Sequence, residues 1–243
     1  MKIVAIGGGD IGTTDEFPYS LGEIDKKIFA LSGKNHPTLL FLSFNERANY
    51  FFGTLRKIYM QMGAQCTSLR HNDFENKKTV ESKFNRADII YINGGNTIEY
   101  MKAIKKFGLD EFLKKALERD VILCGISAGA ICYHKFGSSD SRHYKNKENK
   151  FTLVRGLGFI DLLFSPHFSN SSRPLDTERL VKKSKTIAIC ADDQTAVVFN
   201  GEDYEVVKSN PEAKVYRAFI KDNNYFLQEI AQNGKINSLI DRN

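Results

Sequence analysis

The sequence predicts a three-layer α/β/α fold around a mostly parallel sheet, with a β-rich C-terminal finish. Three observations carry that expectation. Short, apolar and often β-branched runs alternate with segments of helical apolar spacing through the first half of the chain. Several of those runs end in glycine-rich loops, as strand-to-helix turns do. In the second half the runs follow one another closely, joined by Gly, Asn and Asp turns.

The first run, residues 2–6, passes directly into Gly7-Gly8-Gly9. Its apolar stretch is too short for a signal peptide and reads as a first buried strand. Residues 38–43, 65–69, 88–92 and 121–124 have the same character, and residues 47–62, 75–86 and 97–106 separate them with helical spacing. Gly63 and Gly108 are natural helix stops. Strands joined through helices of this length imply right-handed crossovers and a sheet covered on both faces. Residues 186–190, 196–200, 204–208, 215–220 and 225–230 are then expected to extend that same sheet. No linker or internal repeat interrupts the pattern, so residues 1–243 are taken as one domain.

Bulk properties narrow the function. The chain has 42% hydrophobic and 26% charged residues and no tryptophan. It lacks the run of about 18 uncharged apolar residues that a membrane span needs. Cys66, Cys124, Cys132 and Cys190 show no paired spacing, and three lie in or beside apolar runs. Buried thiols in a reducing, cytoplasmic compartment are expected. The net charge of +6 is spread out, and its richest stretch, from Arg142 to Lys150, lacks an apolar period. It reads as a solvated loop, so no nucleic-acid partner is expected.

In open α/β sheets ligands sit beyond the carboxyl ends of the strands. One such end reads Gly125-Ile126-Ser127-Ala128-Gly129-Ala130, a sharp small-residue turn that would expose the Ser127 hydroxyl at a helix N-terminus. Gly-x-Ser-x-Gly also occurs as a plain turn, so its neighbours decide. The loop Asn93-Gly94-Gly95-Asn96-Thr97 precedes a helix that Asn96 can cap. If it lies beside Ser127, the Gly95 and Ala128 N–H groups can share one oxyanion. His167 follows Pro166 at the end of an apolar strand and is the candidate base, ahead of His36, His71, His134 and His143. Asp192 and Asp193 stand at a later strand end, and Asp140 in a Gly/Ser loop is a further acidic candidate to orient the base. The loop Gly7-Gly8-Gly9-Asp10-Ile11-Gly12 matches a dinucleotide pattern. Neither a helix start nor a suitably spaced acidic residue follows, so it is read as a loop lining the site.

Gly94-Gly95-Asn96-Thr97, Gly125 to Ala130, Ser165-Pro166-His167-Phe168 and the Asp192 strand end, in this order and spacing, resemble the peptidase E-like serine peptidases. That family includes aspartyl dipeptidase and, more distantly, cyanophycinase. The resemblance runs from Met1 to about Phe199. It implies a fold like that of class I glutamine amidotransferases, with Ser127 as nucleophile, His167 as base, and Gly95 with Ala128 as oxyanion hole. It implies an acidic third member where Asp192 stands, and links Asp140 to activity. Two positions depart from the pattern. Asn93 replaces a third glycine. Asp176 stands where aspartyl dipeptidase holds its substrate's acidic side chain with an arginine, leaving Arg173 or Arg179, beside Asn96, as substrate-binding candidates. The expectation is a serine exopeptidase of dipeptidase type that acts on short peptides without metal or cofactor, with a homodimer as the assembly considered. The alternatives are a peptide-binding protein without turnover and a hydrolase of β-linked Asp-Arg peptides.

Overall fold

Five parallel strands organise the computed structural model, which describes residues 1–12, 18–142, 151–170 and 172–241. They are β1 (Lys2–Ile6), β2 (Thr38–Ser43), β3 (Gln65–Arg70), β4 (Ile89–Ile92) and β5 (Ile122–Ile126). All run parallel, in the spatial order β1-β5-β4-β2-β3. Successive side chains of a strand point to opposite faces. Val4, Ile6, Leu39 and Phe41 therefore pack with α1 (Gly22–Leu31) and α2 (Glu46–Gln61). Ile3, Ala5, Leu40 and Leu42 pack on the other face with α3 (Lys77–Arg86), α4 (Thr97–Lys106), α5 (Leu109–Glu118) and α6 (Ala128–Tyr133). This is the three-layer arrangement expected.

Local chemistry sets the helix starts. Asn45, Asn76 and Asn96 each accept a backbone N–H three residues on, from Ala48, Thr79 and Glu99. Such caps satisfy one of the four N–H groups a helix start leaves unpaired. Helix α1 starts without a side-chain cap, at Leu21, which explains why no start signal in the sequence announces it.

The β-rich finish departs from expectation. It divides between two sheets. Strands β10 (Thr195–Asn200), β11 (Asp203–Lys208) and β14 (Asn233–Lys235) extend the first sheet beyond β1 in antiparallel fashion. A second sheet holds β6 (His134–Ser139), β7 (Thr152–Arg155), β8 (Ile160–Ser165), β9 (Ala188–Ala191), β12 (Val215–Lys221) and β13 (Asn224–Glu229). Its order is β13-β12-β9-β8-β6-β7. The chain crosses from the first sheet to the second after Ser127, through α6 into β6. It crosses back between β9 and β10, through Asp192-Asp193-Gln194, where Gln194 takes φ 62°. Helix α7 (Arg173–Ser184) joins β8 to β9, and α8 (Ile236–Ile240) follows β14.

Both sheets share a core: Ile3 and Leu40 of the first cluster with Ile160, Phe164 and Ile189 of the second. Cys124, Cys132 and Cys190 are buried free thiols as expected, and Cys66 is half-buried. The stretch 13–17 after the first glycine loop, and residues 143–150 of the basic segment with His143, lie outside the described residues.

Candidate active site

The turn after β5 is shaped by what its glycines exclude. A Cβ on Gly125 would lie 2.5 Å from the Gly129 carbonyl carbon, and one on Gly129 would lie 2.2 Å from the Ile92 oxygen. Helix α6 can therefore start directly against β4 and β5. Ser127 sits at this turn with φ 53° and ψ −112°, a conformation costly for any residue with a side chain. Its N–H donates to Ile6 O at 2.9 Å and its carbonyl accepts from Ile131 N at 3.0 Å, so strand and helix both hold the strained turn.

His167 reaches that hydroxyl from the second sheet. Its Nε2 lies 2.9 Å from Ser127 Oγ, and its Nδ1 lies 2.5 Å from Asp193 Oδ1. Burial pushes the Asp193 carboxyl up, but the hydrogen bond and charge of His167 and the charge of Arg173 outweigh it and hold the group below its ordinary range. A carboxylate only accepts, so Nδ1 carries the proton and Nε2 is left to accept from the Ser127 hydroxyl. His167 itself takes φ 51°, and its N–H donates to Gly7 O at 3.1 Å.

The neighbouring carboxylate expected first, Asp192, is not the one in contact with His167. Its Oδ2 accepts Lys214 N at 2.9 Å and its carbonyl accepts Thr195 Oγ1 at 2.7 Å, which tie it to the crossing between sheets. Burial raises its carboxyl above the ordinary value, with Lys214 N pulling the other way. The two aspartates stand at the turn between β9 and β10, which directs Asp193 to the imidazole and Asp192 to Lys214 N.

The first glycine loop is the seat of this pair. A Cβ on Gly8 would fall 1.9 Å from Asp193 Oδ1 and 2.4 Å from the His167 ring, and Gly8 O accepts Gln194 N at 2.8 Å. Gly8 thus lines the site, as the loop was read, and was missed as an individual residue.

The second glycine loop lies on the other side of Ser127. A Cβ on Gly94 would stand 3.5 Å from Ser127 Cβ. Gly95 takes φ +155° under the Tyr100 hydroxyl, which a Cβ would meet at 2.2 Å. Tyr100 O–H donates to Gly94 O at 2.8 Å and receives bonds from Asn45 Nδ2 and Asn93 Nδ2. Asn93 Nδ2 also donates to Gly94 O at 2.6 Å. The asparagine that departs from the family's glycine is therefore a strut for the loop, with Tyr100 and Asn45 as two further supports that sequence reasoning did not single out. Among the described residues, no backbone or side-chain acceptor takes the N–H of Gly95 or Ala128.

Beside His167 opens a cleft of about 760 Å³ lined by Asp140, Phe151, His167, Ser169, Asn170, Ser172, Arg173 and Asp193. Arg173 forms its floor. It is 3% exposed, donates through Nη1 to Ser138 O at 2.7 Å, and lies with Cζ 3.7 Å from the Phe151 ring centroid. Burial lowers its pKa to about 10 against the pull of Asp140, Asp193 and Asp176. Arg179 stands outside this lining: it pairs with Asp176 Oδ1 at 2.7 Å and donates to Phe151 O at 2.6 Å. Asp176 accepts Phe151 N, so the two residues brace the Phe151 backbone. Asn96 caps α4 and donates to Ser141 O at 3.4 Å, and is likewise absent from the cleft lining. Of the remaining histidines, His134 is buried with Nδ1 on Ala130 O and its pKa lowered to about 4 by burial, and His36 contacts Gly63 O.

Comparison with known proteins bears on the chain as a whole. The profile of peptidase family S51 matches residues 3–207. The uncharacterized peptidase YgaJ of Bacillus subtilis is 29% identical over 228 residues, covering 91% of this chain and 93% of its own. The uncharacterized peptidase Lmo0363 of Listeria monocytogenes is 24% identical over 103 residues, 42% of this chain and 50% of its own. The crystal structure of a peptidase from an acI-B1 Actinobacterium superposes with a TM-score of 0.71 at 20% identity, over 97% of this chain and 96% of that one. A putative peptidase E protein from Listeria monocytogenes superposes with a TM-score of 0.62 at 14% identity, over 85% and 98%. The fold is thus of the peptidase E type, and the chain belongs to peptidase family S51.

Proposed function

We propose that this peptidase is a serine-type exopeptidase that hydrolyses short peptides, of dipeptide size, through an acyl-enzyme on Ser127. The observation that carries the reading is the continuous line of contacts from Ser127 Oγ through His167 to Asp193, set at a strained strand-to-helix turn.

In this reading His167 Nε2 takes the hydroxyl proton as Ser127 Oγ attacks the scissile carbonyl carbon. Asp193 holds the Nδ1 proton and stabilises the imidazolium that forms. The carbonyl oxygen becomes an oxyanion between the Gly95 and Ala128 N–H groups, where one such donor is typically worth about 10²–10³ in rate. The C–N bond then breaks, His167 returns its proton to the leaving amine, and water repeats the sequence to release the acid. The cleft around Arg173 and Asp140, with charge of both signs, favours small charged substrates.

The test is turnover of a dipeptide panel that varies only the first residue, beside N-acetylated dipeptides, tripeptides and a β-linked Asp-Arg dipeptide. The reading expects free dipeptides to be cleaved, blocked ones to be spared, and Ser127→Ala to be inactive. Equal cleavage of blocked peptides would overturn the exopeptidase assignment, and full activity in Ser127→Ala would overturn the nucleophile.

A further inference from the structure

The mechanism leaves one buried carboxylate unused. Asp25 of α1 is fully buried, accepting from Tyr19 O–H through Oδ2 at 2.5 Å and from Tyr59 O–H through Oδ1 at 3.0 Å. A charged group is rarely taken out of water without a purpose for its hydrogen bonds. Tyr59 belongs to α2, whereas Tyr19 belongs to the segment that closes the first glycine loop.

That segment leads to the site by short steps. Next to Tyr19, Ser20 N donates to Asp10 O at 3.1 Å, and Asp10 N donates to Ser20 Oγ at 2.8 Å. The following residue, Leu21, presses on Gly9, where a Cβ would meet Leu21 Cδ2 at 2.5 Å. Gly9 adjoins Gly8, whose bare backbone carries the His167 ring and the Asp193 carboxylate. Displacing the loop would therefore displace the two groups whose geometry sets Nε2 against Ser127.

We propose that Asp25 is a positioning residue for the His167–Asp193 pair, acting through Tyr19 and the Gly7–Gly12 loop. The inference rests on the serine-peptidase reading and adds to it a residue on the far side of the loop from the substrate. Burial pushes the Asp25 carboxyl up to about 7. The groups facing it are Tyr19 and Tyr59, with Tyr91 of β4 and Cys124 of β5 behind, both raised by burial and neutral. Protonation turns one carboxylate oxygen into a hydroxyl and weakens the bond it accepts. The loop is held best with Asp25 ionised, and the amide of Asp25→Asn imitates the protonated form.

The experiment follows the pseudo-first-order rate of fluorophosphonate labelling at Ser127 from pH 5 to 9 in native protein, Asp25→Asn and Tyr19→Phe. The rate is compared at temperatures where each variant is fully folded, so that permanently inactive material lowers the amplitude alone. Asp25→Asn is expected to label about tenfold more slowly at pH 8 and to lose a rise in rate centred near pH 7. Tyr19→Phe is expected to lose part of the same rate. Native rates and an unchanged pH profile in the folded variants would overturn the inference while leaving the peptidase reading intact. Should Asp25→Asn not fold, Tyr19→Phe decides by itself. Native protein that does not label at Ser127 would overturn both.

Discussion

At the carboxyl end of β5, Gly125, Ser127 and Gly129 leave no space for any other packing, and the nucleophile's place is set by backbone alone. At the ends of β8 and β9 the arrangement is different. His167 and Asp193 retain 35% and 48% side-chain exposure, and their positions depend on a crossing between two sheets and on a glycine loop from β1. The first half of the site is a steric fit of one strand-turn-helix unit against the backbone of its neighbours β1 and β4. The second is assembled from three distant segments. The contrast teaches where the site is robust and where its chemistry is tuned, because backbone fits tolerate no side chain while assembled contacts admit small shifts.

Ser127→Ala makes the sharpest break. It removes the attacking atom and is expected to lower peptide turnover by about 10⁴-fold or more, as loss of a nucleophile that acts as part of a unit does. Steady-state kinetics with purified protein checks it. The two adjacent aspartates then separate structure from sequence order. Asp193→Asn should slow acylation by about 10²–10⁴-fold, since an amide opposite Nδ1 no longer fixes the tautomer. Asp192→Asn, whose carboxylate serves Lys214 N, should stay within about threefold.

Glycine substitutions compare the two halves directly. Gly8→Ala places a methyl group against both His167 and Asp193 and should slow labelling by about 10²-fold, the cost of a shift on the order of 1 Å. Gly129→Ala pushes against the Ile92 carbonyl and should instead lower stability, by about 1–3 kcal/mol, read as a drop in melting temperature. The last effect is one of pH. The folded-state pKa of Asp25 is raised from 3.8 to about 7, so the native state binds the proton more tightly than the unfolded chain. Its contribution to stability is complete below about pH 4 and is lost as pH rises through 7. Asp25→Asn should flatten that part of the stability-against-pH curve, by at most about 4 kcal/mol.

Much of the site was legible because it depends on local sequence. Gly125-Ile126-Ser127-Ala128-Gly129 specifies its own turn, Asn96 its own cap, and Pro166 ends the strand before His167. The parallel half of the fold was legible for the same reason, through β-branched runs and helical spacing. What stayed hidden depends on contacts between remote segments. Nothing in Asp192-Asp193 says which side chain faces His167, since that follows from the direction in which the chain crosses between sheets. The division of the late strands between two sheets is likewise a matter of which edge each one meets. Tyr100 of α4 and the adjacent Asn93 support the Gly94 carbonyl, and Asn45 at the start of α2 supports Tyr100, a set of bonds that no single sequence pattern reveals.

Peptide-level mass spectrometry after brief exposure to a fluorophosphonate tests the central claim most directly. The account predicts one adduct, on Ser127, that forms much more slowly in Asp193→Asn and at the native rate in Asp192→Asn. An adduct on another residue, or equal rates in the two aspartate variants, would contradict it.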